Sequence, residues 1–225
     1  MPTITAIVPM RHSSERVPGK NYRDFAGKPL YHRVINSLRA CSAITKVVID
    51  TDSPTIMEDA AVHFPDVLVM ERPEHLRAGE IPMNDVLLNT IRQVDSDFYL
   101  QTHSTNPLLS AETVDRGVRT FLDQFPIYDS LFGVTRLQTR LWDQLGRAVN
   151  HNPNILLRTQ DLPPIYEENS CLYIFSRDII ERKHNRIGDR PYLLEMPAEE
   201  AQDIDVELDF RIAEFLFIER EKLQS

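Results

Sequence analysis

Three cations, Arg11, Arg16 and Lys20, crowd the stretch 9–21, Pro-Met-Arg-His-Ser-Ser-Glu-Arg-Val-Pro-Gly-Lys-Asn. They follow an apolar, β-branched run, Ile4-Thr5-Ala6-Ile7-Val8, which reads as a buried strand. Cations in the loop leaving such a strand suit the phosphates of a nucleotide, whose charge must be met by guanidinium, ammonium and backbone N–H groups. Arg11 can fork two phosphate oxygens, while Lys20 acts as a point charge. Ser13 and Ser14 add short donors, and Gly19 lets the backbone turn closely. An ordinary polar connection between strand and helix explains the charges equally well.

A second group lies near the other end, in Asp203-Ile204-Asp205. In an extended segment alternate residues share a face, so both carboxylates can point at one cation. Two aspartates offer the hard oxygens Mg²⁺ takes while it keeps waters and phosphates. Acids gathered at a helix start are the rival explanation, which fits Glu207 and Asp209 better than Asp203 and Asp205. A further Asp-x-Asp pair, Asp50 and Asp52, is read differently: it stands between a strand and Ser53-Pro54, where a carboxylate caps a helix or holds the fold.

The elements that must position these groups alternate along the chain. Strands are expected at 4–8, 46–50, 66–70, 97–101, 129–134, 171–176 and 192–196. Helices are expected at 29–40, with Pro29 in the first turn, then 54–63, 83–94, 110–124 and 179–183, and an amphipathic helix follows Phe210. Strand alternating with helix predicts parallel βαβ units and an α/β fold. Between 136 and 168 the pattern breaks at Trp142, Asn152-Pro153-Asn154 and Pro163-Pro164 into a hairpin-like excursion, too small for a domain of its own.

A chain of 225 residues suits one domain, 1–225, with that excursion inside it. The net charge of −9 argues against broad nucleic-acid binding. It is unevenly spread: the first fifty residues hold eight Lys or Arg against three acids, a basic patch on an acidic protein. No apolar run approaches a membrane span and no export signal opens the chain. Cys41 and Cys171 match no metal or redox spacing, so a cytoplasmic location is expected.

The motifs also carry a resemblance. Pro9-x-Arg11-x-x-Ser14-x-Arg16-x-Pro18-x-Lys20-Asn21 resembles the N-terminal signature of the acylneuraminate cytidylyltransferases, which make CMP-activated sialic acids, and more loosely that of the Kdo cytidylyltransferases. Glu71-Arg72-Pro73-Glu74-His75-Leu76 is similar to the family's Arg-Pro-x-x-Leu segment. Leu100-Gln101 with Pro107-Leu108 is similar to its Leu-Gln-Pro-Thr-Ser-Pro-Leu-Arg motif. The run from Arg158 through Asn169 to Ile174 resembles Arg-Gln-x-Leu-Pro…Asn-Gly-Ala-x-Tyr-Ile, and Asp203-Ile204-Asp205 the C-terminal Asp-Ile-Asp. This chain departs at His12-Ser13, where the family has small residues, at Leu109 in place of Arg, and at Ser170 in place of Gly.

The resemblance implies a Rossmann-like three-layer nucleotide-diphospho-sugar transferase fold with the excursion 136–168 as a homodimer contact. It implies that CTP and a 2-keto-3-deoxy sugar acid, a sialic-acid-like nonulosonate foremost, give CMP-sugar and pyrophosphate for cell-surface polysaccharide. Arg11, Ser14, Arg16, Lys20, Asn21, Arg72 and Gln101 would bind nucleotide, with Arg72 on the cytosine base. Gln101, His103, Asn106, Arg158, Tyr166 and Asn169 would hold the sugar, and Asp203 and Asp205 the Mg²⁺. Arg11, Lys20 and Asp205 would be catalytic. The alternatives are a glycosyltransferase of related fold, reading Asp203-Ile204-Asp205 as its Asp-x-Asp, and a non-catalytic nucleotide-binding homologue.

Overall fold

The structure, a computed structural model, describes residues 2–224. The first strand, β1 (Ile4–Met10), is buried along its whole length, as its nearly continuous apolar character, broken only by Thr5, suits a strand covered on both faces. It pairs in parallel with β4 (Lys46–Thr51) on one side and β6 (Phe98–Gln101) on the other. β5 (Leu68–Glu71) extends the parallel set beyond β4. β8 (Ile165–Phe175) runs antiparallel to β6 and to β7 (Ser130–Leu137), and β9 (Pro191–Glu195) lies parallel to β7. The seven-stranded order is β5-β4-β1-β6-β8-β7-β9.

Helices cover both faces. Tyr31, Val34, Ile35 and Leu38 of α1 (Tyr31–Ala40), Ile56 and Ala60 of α2 (Pro54–His63) and Val114, Val118 and Phe121 of α4 (Ala111–Gln124) join one buried cluster with Ile4, Ala6 and Val8. Leu87 and Ile91 of α3 (Met83–Gln93) and Ile179 and Ile180 of α5 (Arg177–Lys183) pack with Ile7 and Val48 on the opposite face. The alternation along β1 therefore divides two cores, and each fully buried Ile or Leu contributes about 1.5–3 kcal/mol. Ser53 and Ser110 cap α2 and α4 as the sequence leads one to expect, accepting from the N–H groups of Ile56 and Thr113. Ser176, expected at the end of a strand, instead caps α5 by accepting from the Ile179 N–H.

Several boundaries differ from the sequence expectation, among them the start of α5 at Arg177 and of the last helix at Glu207, and three differences shape the packing. Pro29 does not open a helix; it lies in β3 (Lys28–Pro29), paired with β2 (Asp24–Phe25) through a turn in which Ala26 and Gly27 take positive φ. Phe25 and Leu30 are thereby buried against Phe210, Ala213 and Phe217 of the last helix, α6 (Glu207–Gln224). β5 begins at Leu68 because the Val67 N–H is turned back onto the Phe64 carbonyl. β8 begins at Ile165, pairing with β7 from Leu137, so 138–164 is the part of the excursion outside the sheet.

Candidate active site

The strand order turns at β1, whose two neighbours carry the chain in opposite directions, and a ligand crevice opens at such a point beyond the strands' C-terminal ends. A cavity of about 750 Å³ lies there. Arg11, Ser14, Arg16, Lys20 and Asn21 from the loop after β1 line it, with His103 and Thr105 after β6, and Asp203 and Asp205 before α6.

The loop after β1 is held by its own side chains. Gly19 takes φ 65°, and a Cβ there would sit 2.9 Å from the Tyr22 ring, so only glycine turns the chain into the short helix Lys20–Tyr22. Asn21 donates to the Arg11 carbonyl at 2.7 Å and accepts from the Ser104 hydroxyl at 2.8 Å, joining the loops after β1 and β6. Ser14 accepts from the Val17 N–H. His12 stacks on Tyr22 with ring centroids 5.3 Å apart, and its Nδ1 meets the Ser53 hydroxyl at 2.8 Å. Its backbone N–H donates to Asp52 at 2.7 Å, a bond open to most residues, so it is the imidazole's contact with Ser53 by which this departure from the family signature fastens the loop to the start of α2.

The two ends of the chain meet here. Arg16 pairs with Asp205 at 2.7 Å, and the Lys20 ammonium donates to the Ile204 carbonyl between the two aspartates. Ile204 is fully buried and its N–H is held by the Thr105 carbonyl at 3.0 Å, which fixes the segment. Burial pushes the Lys20 ammonium below its ordinary value against the pull of Asp203 and Asp205. Burial likewise pushes the Asp203 carboxyl up; a hydrogen bond from Thr105 opposes it, and the charge of Asp205 adds to it. Desolvation thus works against charge on both partners, the condition of groups built to meet further charge. Glu207 and Asp209 have the helix-start roles expected of them: Asp209 accepts from the N–H groups of Asp205 and Val206, and Glu207 takes a two-pronged bond from Arg23.

Behind His103, and not itself lining the cavity, the Gln101 side chain is buried; its oxygen accepts from Arg186 at 2.7 Å and its amide donates to His103 Nε2 at 3.0 Å. Arg186 lies 3.6 Å over the Tyr173 ring, and the Tyr173 hydroxyl donates to Glu168. Burial, then the charges of Arg186 and Lys20, push the His103 imidazole down to about 4. It is therefore neutral near pH 7, a hydrogen-bonding group rather than a cation.

A family model described as cytidylyltransferase matches residues 5–218. The chain belongs to the cytidylyltransferase family. It is 29% identical to the CMP-N,N'-diacetyllegionaminic acid synthase of Legionella pneumophila over 227 residues, 95% of each chain. It is 28% identical to N-acylneuraminate cytidylyltransferase A of Danio rerio over 94% of its own length, and spans about half of that protein. Identity to a 3-deoxy-manno-octulosonate cytidylyltransferase of Chlorobium chlorochromatii is 32% over 181 residues, 80% of this chain and 66% of that one. Its fold matches a structure of CMP:2-keto-3-deoxy-manno-octonic acid synthetase complexed with CTP, with a TM-score of 0.71 at 15% identity, over 97% and 99% of the two chains.

Cytidylyltransferases generally use a divalent cation beside phosphate, and the chemistry of Asp203 and Asp205 would suit one. Asp203 Oδ1 is buried with no hydrogen-bond partner, and its neighbour supplies a second hard oxygen. The other expected residues divide. Arg72 lines the cavity but is itself buried, its Nε 2.5 Å from Asp50, whose other oxygen accepts from Thr90. Asp50 thus has the structural role expected of it, and Asp52 holds the His12 N–H. Asn106 is fully buried, and both polar atoms of its side chain lack hydrogen-bond partners. Arg158 is exposed and paired with Asp161, Tyr166 is exposed on β8, and Asn169 bonds Thr135 and the Cys171 N–H; none of the three lines this cavity.

Two departures from the family motif find their reasons. Leu109 is a core residue, fully buried. Ser170 takes φ 59°, the left-handed conformation for which the family's glycine is suited, where β8 slips register against β7. Sequence reasoning missed Arg186 and the Gly79 segment. A Cβ on Gly79 would come 2.9 Å from the Arg11 guanidinium, so its bareness admits that side chain. Neither carries a local signal, because Arg186 reaches Gln101 across 85 residues of sequence.

Proposed function

We propose that the chain transfers CMP from CTP to the anomeric hydroxyl of a 2-keto-3-deoxy sugar acid of the nonulosonate class, releasing pyrophosphate. The observation that carries this is the meeting of Arg16 and Lys20 with Asp203 and Asp205 at one cavity wall. A cationic cradle touching a carboxylate pair suits a nucleoside triphosphate better than a sugar diphosphate, which favours this reading over a glycosyltransferase. Two relatives with nonulosonate names match along nearly all of this chain, which favours that class of acid over the shorter octulosonate.

In this reading Arg11 and Lys20 bear on the triphosphate, with Ser14, Arg16 and Asn21 shaping the loop around it. The anomeric oxygen bonds to the α-phosphorus as the bond to the bridging oxygen breaks and pyrophosphate leaves in line. Asp205 receives the proton of the attacking hydroxyl. Asp203 and Asp205 would hold a Mg²⁺, which when bound would neutralise charge on the phosphates. Gln101, polarised by Arg186, and neutral His103 face the sugar side. Catalysis is mostly positioning and charge complementarity. The excursion 136–168, with Ile155, Leu156 and Leu157 exposed, is the homodimer contact, and Arg158 and Tyr166 serve the partner's sugar site from it.

The test is pyrophosphate release from CTP and Mg²⁺ with N-acetylneuraminate, a legionaminate, a pseudaminate and the octulosonate in parallel. Release with a nine-carbon acid is expected. Release with the octulosonate alone would overturn the acceptor class. CTP binding with no release from any acid would favour the non-catalytic homologue.

A further inference from the structure

On the side of the sheet covered by α1 and α2, three side chains converge that no part of the proposed chemistry uses. His32 Nε2 lies 2.5 Å from Asp59 Oδ2, and His63 Nδ1 lies 3.0 Å from both Asp59 Oδ1 and the Asp59 backbone carbonyl, leaving His63 Nε2 as its free ring nitrogen. One ligand atom from each can be chosen so that all three lie within 4.8 Å of one another. None of the three lines the cavity described above. His63 and Asp59 are one helical turn apart on α2, and His32 enters from the first turn of α1.

From this geometry we propose that His32, Asp59 and His63 bind a zinc-class divalent cation that clips α1 to α2. Two imidazoles and a carboxylate make a borderline-soft donor set, which selects such an ion over Mg²⁺ or Ca²⁺. At bond lengths of about 2.0–2.1 Å, tetrahedral ligands stand about 3.3 Å apart. The 2.5 Å His32–Asp59 contact therefore has to open by about 0.8 Å, and ligand atoms that lie within 4.8 Å of one another have to close by about 1.5 Å at most. The ligands are oriented in advance. His32 is 4% exposed, and its ring is wedged against Tyr31 and Phe64, with centroids 4.6 and 4.7 Å away. The Tyr31 hydroxyl donates to Asp59, the partner that commonly fixes a ligating carboxylate. His63 is half exposed, so an ion and its completing water reach the site from solvent.

The experiment titrates chelator-treated full-length protein with Zn²⁺, and with Co²⁺ as a spectroscopic probe. One equivalent bound tighter than roughly 10 μM is expected, with tetrahedral Co²⁺ bands in the visible. The melting temperature should rise by roughly 5–10 °C at a hundredfold excess over the dissociation constant. His63→Ala, which removes an exposed ligand and spares the core, should abolish the bands and the shift while pyrophosphate release with Mg²⁺ stays normal. Asp203→Asn should keep both, since that carboxylate belongs to the cavity. Absence of a one-to-one site in the parent, bands that survive His63→Ala, or bands that vanish with Asp203→Asn would each overturn the proposal.

Discussion

Asp205 is held by Arg16 on one side, and its own N–H rests on Asp209, so its carboxylate is aimed before any ligand arrives. Removing one such electrostatic group from a site costs about 10²–10³ in rate. Asp205→Ala should lower pyrophosphate release by that factor at saturating Mg²⁺, while CTP protection of the loop around Arg11 persists at high nucleotide. His103 gives a second prediction at this scale. Its imidazole titrates near 4 in the fold and near 6.5 when unfolded, so the unfolded chain binds the extra proton between those values. Stability present above about pH 6.5 is therefore lost as the pH falls toward 4, on the order of 2 kcal/mol. Denaturant melts of the unliganded protein should show that slope, and His103→Asn should flatten it.

Among the elements, the ends of β4 and β5 and the middle of α3 are tied by one buried group. Asp50 accepts from Arg72 at 2.5 Å and from the Thr90 hydroxyl at 2.8 Å, with side chains of the ion pair exposed by 2% or less. A buried pair of this kind adds little over an apolar substitute, but losing one partner strands the other charge. Asp50→Ala should therefore destabilise the protein by about 3–5 kcal/mol, read from denaturant midpoints. Since Arg72 lines the cavity, the same variant should also loosen CTP binding, separating this contact from a purely structural one.

For the whole molecule, the apolar surface of 138–164 sits far from the sheet's own needs. Leu156 is 90% exposed and Trp142 53% exposed, areas that a second copy would cover. Leu156→Asp leaves the core untouched, so it should fold as the parent does; on the proposed contact the parent should sediment as a dimer and the variant as a monomer. If Arg158 serves the partner's site, its release of pyrophosphate should fall with it. A parent that is itself monomeric at micromolar concentration would refute the contact.

By itself the sequence determined the order of the seven strands of the large sheet and of the six helices, because period-two and helical apolar patterns and the serine caps are local properties. It also placed the cations at 11–20 and the carboxylates at 203 and 205 in plain view, and their motifs pointed to the cytidylyltransferases. Only the tertiary structure decided that these two groups share a wall, since 189 residues of sequence separate Arg16 from Asp205. It alone decided that Pro29 pairs in a hairpin beneath α6, and that Arg72 is spent partly on Asp50. It also brought Arg186 to Gln101. Such contacts depend on which strands become neighbours, and pairing between distant segments leaves no periodic trace in the residues that make it.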